Sequence, residues 1–293
     1  MMRDTLRTLF IENPMLEEGA RALRRFSRTG DAPRVINFVA TLLIGLFYLW
    51  LVAMIVRFHE DMTTFLLVVE VVIVTGVIVA SIYGAVAGER ERATWEALII
   101  TRITPAQIIV GKVIWRMALA LIVVTLMAIP LAVSSSYPHS SNGSAVVWTL
   151  GKLLLAHSIV LAWAALLCAY GLWISARSRR SVTAAALLAG SLLAALLFVP
   201  MLLEMFDIHT MDVRLTSDLD YIGWAWTHLN PFIAITTIER GANLNASESM
   251  KWSLVRYWNV SLPWLYLLAA TLLFFRTNHT LNRLEEPNRR SDK

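Results

Sequence analysis

Six stretches that are almost free of charge dominate this chain, and they leave it one kind of fold. They are Val35–Val56, Thr63–Gly88, Val113–Val133, Val146–Ala176, Val182–Leu203 and Tyr257–Phe275. A helix needs about 20 apolar residues to cross a hydrocarbon layer some ~30 Å thick, and each stretch is of that order. The charges inside them are few: Glu70, Arg116 and Lys152. The composition agrees, with 57% of the 293 residues hydrophobic and 16% charged, and a mean hydropathy of +0.60. Soluble domains average about 45–50% apolar and about 25% charged, and a chain of this size has too little core to hide the excess. The expectation is an all-α, polytopic membrane protein with six transmembrane helices.

Orientation follows from the basic residues. Arg3, Arg7, Arg21, Arg24, Arg25, Arg28 and Arg34 precede the first stretch. Arg90, Arg92, Arg102 and Lys112 lie between the second and third. Arg177, Arg179 and Arg180 join the fourth to the fifth, and Arg276, Arg283, Arg289, Arg290 and Lys293 follow the sixth. These make 19 of the 26 basic residues. Lys/Arg excess marks cytoplasmic loops, so both termini are expected in the cytoplasm and the chain in the plasma membrane. The net charge of +5 needs no nucleic acid to explain it. The first 34 residues lack the apolar core of a signal peptide. Cys168 is the single cysteine, which excludes an internal disulfide and any multi-cysteine metal site. Trp50, Trp148, Trp252 and Trp258 fall where an outer aromatic belt would sit.

The organisation is then a cytoplasmic segment 1–34, a membrane domain 35–275 and a cytoplasmic tail 276–293. Asn13-Pro14 reads as an N-cap with proline in the first helical turn. Leu16, Ala20, Leu23 and Phe26 recur behind it at helical spacing, opposite Arg21, Arg24, Arg25 and Arg28. Such an amphipathic helix lies along the inner leaflet, apolar face down. Between the second and third spans, Glu89, Arg92 and Glu96 stand at i, i+3 and i+7, beside an apolar face of Trp95, Leu98 and Ile99. Thr104-Pro105 marks a stop and the N-cap of a new helix. The long connection before the sixth span contains an uncharged stretch, Tyr221–Ile238, broken by Asn230-Pro231. Two short half-helices dipping into the outer leaflet suit it better than a crossing.

The segment after the second span resembles that of the permease subunit of a type-2 ABC exporter. In that family it runs Glu-x-x-x-Gly-Thr-Leu-Glu-Leu-Leu-Leu, then Thr-Pro-Leu-Ser, then an apolar pair and Gly-Lys. Glu89, Thr94, Glu96, Leu98, Thr101, Gly111 and Lys112 match without a gap, while Ala93, Arg102 and Gln107 depart from it. The resemblance implies that the Arg-rich N-terminal helix is an elbow at the membrane surface and that Glu89–Arg102 is a coupling helix seated in a cytoplasmic ATPase. Its contact residues would be Glu89, Arg90, Glu91, Arg92, Thr94, Trp95, Glu96 and Arg102. Arg177, Arg179 and Arg180 would be a second cytoplasmic contact, and Asn230 and Pro231 part of an outer gate. The six spans would be half of the usual twelve, completed by a second copy or a second permease.

The chain itself carries no Gly-x-x-x-x-Gly-Lys-Ser/Thr phosphate cradle: Val113 follows Gly111-Lys112, and Leu153 follows Gly151-Lys152. ATP and magnesium are therefore expected on a separate P-loop ATPase, with no cofactor and no catalytic residue in this chain. Glu70 and Lys152 are candidates for the translocation pathway, at similar depth and facing the bundle interior and each other. Alternatively Glu70 is protonated and bonded between helices, and Lys152 snorkels to the outer interface. Met201, Met205, His209 and Met211 would suit Cu(I), yet interface packing accounts for them and no metal site is expected. His157 and Cys168 stand eleven residues apart on one span, too far to act together. An intramembrane enzyme built on Ser191, and an ion-coupled secondary transporter, are the competing functions; neither a catalytic setting nor an internal repeat supports them. No substrate is legible.

Overall fold

The computed structural model describes residues 13–16, 31–57, 62–95, 103–136, 139–141, 144–146, 148–205, 229–240 and 249–291. Nearly all of this is helical. In chain order the elements are α1 (Asp31–Arg57), α2 (Met62–Ile82), the short α3 (Ala87–Glu91) and α4 (Pro105–Ser135). A small antiparallel hairpin follows, β1 (His139–Ser141) with β2 (Ser144–Val146), in register His139 to Val146. Then come α5 (Leu150–Arg177), α6 (Ser181–Leu193), a π-helical turn Ala194–Phe198, α7 (Val199–Met205), α8 (Pro231–Arg240) and α9 (Ser249–Ser291).

Five helices among the described residues are long and apolar enough to cross a membrane: Met62–Glu91, Pro105–Ser135, Leu150–Arg177, Ser181–Leu202 and Trp258–Arg283. The remaining expected crossing, Val35–Val56, lies within α1, whose Gly45–Ile55 stretch is apolar. Phe38, Leu42, Leu46 and Leu49 on α1 are exposed, as are Leu119, Ile122, Leu126 and Ile129 on α4. Outward-facing apolar rows of this kind suit lipid and not water.

The bundle centres on α5. Of its apolar stretch 56% is buried, against 17% for the α6–α7 span. Small residues allow this, since Ala156, Ala164, Cys168, Gly171 and Ser175 are all buried and let neighbouring backbones approach. A Cβ on Gly171 would overlap the Ile82 side chain of α2. The helices that contact α5 are α2, α4, α6, α8 and α9, together with the short α3.

Several boundaries have local causes. α4 opens with the N-cap expected at Thr104, and Gln107 completes a capping box: the Thr104 hydroxyl accepts from the Gln107 amide, and the Gln107 side-chain carbonyl oxygen accepts from the Thr104 amide. α5 begins at Leu150 because Thr149 caps it, and Val146 is taken into the hairpin. α9 continues past Phe275 as a helix of 43 residues, with Thr277 and Leu281 buried one turn apart on the same face. Trp148, expected in an outer belt, is buried in the hydrophobic core, whereas Trp50 is exposed.

Prolines inside two spans explain two of the cross-links between helices. Pro130 has no N–H for the carbonyl of Leu126, four residues earlier. The Tyr48 hydroxyl of α1 donates to that carbonyl at 2.7 Å. Pro200 likewise cannot bond Leu196, and the π-helical turn just before it takes up the misfit. The Asn230 side-chain amide donates to the Leu196 carbonyl at 3.1 Å, while its oxygen accepts from the Phe232 amide and caps α8. In hydrocarbon no water can satisfy a freed carbonyl, so each proline calls for a donor from elsewhere in the fold. Tyr48→Phe should accordingly cost about 1 kcal/mol of stability in the native background. It should cost little in a Pro130→Ala background, where the new N–H takes the Leu126 carbonyl. Thermal melts of the four detergent-solubilised proteins in a double-mutant cycle measure that coupling.

Candidate functional site

The polar residues concentrate where α2 ends and the chain turns through α3 toward α4. α3 has five residues and no cap from its own side chains. Its opening amides, those of Val86 and Ala87, instead both donate to the Ser175 hydroxyl near the end of α5, each at 3.0 Å. A helix leaves its first amides unpaired, and here a serine from another helix supplies the acceptor.

The last three residues of α3 each reach a different helix. Glu89 pairs with Lys112 of α4 at 2.5 Å, and both side chains are largely buried. Arg90 donates to the Ala176 and Ser178 carbonyls at the end of α5, both at 3.3 Å. Those carbonyls are unpaired by the helix itself and carry the negative end of its dipole. Glu91 accepts from the amide and the hydroxyl of Ser181 at 3.1 and 2.7 Å, capping the start of α6. Arg116, one turn beyond Lys112, closes the group from behind by donating to the Ser81 carbonyl through Nε and Nη2, at 3.1 and 2.7 Å. A cavity of about 900 Å³ opens over these residues, with Arg92 and Thr94 on its wall.

α3 stops at Glu91, so the i, i+3, i+7 face expected for Glu89, Arg92 and Glu96 is interrupted after its first member. The interruption is at Ala93, whose φ of 56° is left-handed. Thr94 then donates its hydroxyl to the Glu89 carbonyl at 3.1 Å, and Trp95 is buried. Arg92 and Thr94 are exposed, whereas Glu96 and Arg102 lie outside the described residues. The Asn13-Pro14 signal is seated on this same end of the fold. Asn13 donates to the Gln107 carbonyl at 2.9 Å and accepts from the Met15 amide at 3.0 Å. Met15 packs so closely on Gly111 that a Cβ there would lie 2.5 Å from its own Cβ. The remainder of the expected elbow, 17–30, lies outside the described residues.

Arg177, Arg179 and Arg180 are exposed at the α5–α6 connection, and Arg177 stacks over Trp173 at 5.0 Å. Deeper in the bundle, Glu70 of α2 is fully buried. The α5 side chain set against it is His157, with Nε2 at 3.8 Å from Oε2. His157 Nδ1 bonds the Leu153 carbonyl at 2.7 Å. Lys152 stands in the first turn of α5, half-buried. The Ser191 hydroxyl accepts from Tyr170 at 2.9 Å and donates to the Leu188 carbonyl at 3.0 Å, which ties it into a helix contact. Asn230 and Pro231 begin α8, and the Tyr266 hydroxyl of α9 donates to the neighbouring Leu229 carbonyl at 2.6 Å. Of the methionine–histidine group, Met201 is exposed on α7, and His209 and Met211 lie outside the described residues.

Among the partners that sequence reasoning missed are serines. Ser175 and Ser181 flank the Arg177–Arg180 run and Ser178 lies within it, at the meeting of two helix ends, where short hydroxyl side chains serve as caps. The backbone at Ala93 makes its own prediction, since a left-handed conformation costs a non-glycine residue roughly 1–2 kcal/mol. Ala93→Gly should raise the stability of the detergent-solubilised protein by about 0.5–1 kcal/mol after the entropy loss of glycine, and Ala93→Val should lower it. Thermal melts compare the three.

A family model described as ABC-2 family transporter protein matches residues 46–276, most of the chain, including every element from α2 to α8. A search of curated proteins found no match. The charged joint, the apolar helices and this match converge, and the chain belongs to the ABC-2 family of transporter proteins, as a membrane component of an ABC system.

Proposed function

We propose that this chain is the permease subunit of an ATP-driven exporter, worked from the cytoplasm by a separate P-loop ATPase that binds ATP and magnesium. In this reading α1 adds a sixth crossing, both termini lie in the cytoplasm of a plasma-membrane protein, and a second copy or second permease completes the pathway. The observation that carries it is the set of tethers on Glu89, Arg90 and Glu91, which joins one short segment to α4, α5 and α6 at once. A push on the segment's exposed side, at Arg92 and Thr94, is thereby delivered to three helices. The segment from Glu89 to Arg102 is the coupling element, and the connection carrying Arg177, Arg179 and Arg180 backs it. Nucleotide binding shifts the bundle only if the ATPase grips this segment better in one state than in the other.

The outer end fits the same scheme. Asn230 and Pro231 set the start of α8, which is strapped to α9 by the Asn259–Thr237 bond at 3.1 Å and to the α6–α7 span by the Leu196 contact. We assign α8 to an outer gate and Glu70 with Lys152 to the pathway beneath it.

The test is co-expression with P-loop ATPases of the same genome, taken one at a time. One should co-purify with the permease, and Arg92→Glu should weaken their association about fivefold or more without moving the melting temperature of the permease alone, since Arg92 is exposed. A permease that binds no ATPase overturns the proposal. Glu70→Gln, which keeps the shape and removes the charge, should leave the complex assembled. It should lower the stimulation of ATP hydrolysis by transported compounds at least threefold; unchanged stimulation removes Glu70 from the pathway.

A further inference from the structure

We infer that the α5–α6 connection holds a binding site for one anionic phospholipid of the inner leaflet. A cavity of about 690 Å³, separate from the one above α3, opens between the end of α5 and the start of α6. Arg177, Arg179 and Arg180 stand at its mouth, and no carboxylate is among the residues that line it. Arg180 does feel Glu91, but that carboxylate is occupied by the amide and hydroxyl of Ser181.

The walls are built and not merely open. Arg177 lies over the Trp173 ring at 5.0 Å, which holds the guanidinium by a cation–π contact. Trp173 stacks on Tyr170 with ring centroids 6.1 Å apart, and the Tyr170 hydroxyl reaches Ser191 across the two helices. The planar guanidinium fork matches a phosphate in geometry as well as charge.

Depth decides between a lipid and a dissolved anion. Arg177 ends one membrane-length helix and Ser181 begins the next, so the arginines stand at the membrane surface. The cavity then follows α6 down past Leu187 to Ser191, ten residues from its start and about 15 Å along the helix. Val182 and Leu187 present exposed apolar surface on the same helix. A soluble phosphate would use the cationic mouth and leave the aromatic and leucine-lined depth empty. A phospholipid fills both, headgroup on the arginines and acyl chain along α6. Free phosphate and lipid share the first chemistry and differ in the second.

The full chain, purified without any ATPase, is reconstituted in nanodiscs of phosphatidylcholine and phosphatidylglycerol in equal amounts. It is then re-extracted, and the retained lipid is counted by mass spectrometry. Each interfacial arginine is worth about fivefold in attraction for an anionic headgroup, so at least fivefold enrichment of phosphatidylglycerol is expected. Arg177→Gln, Arg179→Gln and Arg180→Gln combined, all exposed side chains, should bring the ratio near parity, and Arg283→Gln on α9 should leave it unchanged. No enrichment in the native protein overturns the inference, whatever the variants do. So does enrichment that survives the triple substitution, which would mean unspecific charge. Release of the lipid by millimolar inorganic phosphate would also overturn it, in favour of a soluble-anion site.

Discussion

A backbone group inside a membrane must find its partner within the protein, and that requirement governs both ends of this molecule. Pro130 and Pro200 each strip one carbonyl of its helical hydrogen bond, and the side chains of Tyr48 and Asn230 come from other elements to replace it. The defects thus become the places where helices are joined. At the opposite end the unpaired groups are helix termini, and they are satisfied by one another's neighbours. Ser175 takes two amides, Arg90 two carbonyls, and Glu91 the opening amide of α6.

These bonds also account for how the family's pattern is met with unusual residues. The matched segment favours glycine where this chain has Ala93, and the left-handed backbone there shows why glycine is preferred. The turn forms nonetheless, because Thr94 and the buried Trp95 hold the chain on its far side. Gly111 survives at the other matched position for a different reason, the close approach of Met15.

Much of the architecture is legible in the sequence because apolar runs of membrane length have few alternatives. Thr104-Pro105 and Asn13-Pro14 read as caps, since a cap is a local event written in adjacent residues. The role of Glu89–Glu91 is only half legible. Periodicity points to ion pairs along one helix face, whereas the partners are Lys112, the end of α5 and Ser181, all distant in sequence. Glu70 is visible as an isolated charge, but His157 as its neighbour depends on the rotation of α5 against α2, which no local pattern encodes. The extension of α9 beyond its apolar part is hidden for a related reason: Thr277 and Leu281 are buried by packing, not by composition.

Successive side chains of a helix point about 100° apart, so Glu89, Arg90 and Glu91 together fan across more than half of the circumference of α3. A sideways shift of this small element in almost any direction must lengthen at least one of the three attachments. A small turn about its own axis lengthens such radial attachments far less than a shift along any one of them does. The piece is therefore stiff to translation and yields more readily to turning, so a sideways force, more than a torque, is what it passes to its surroundings.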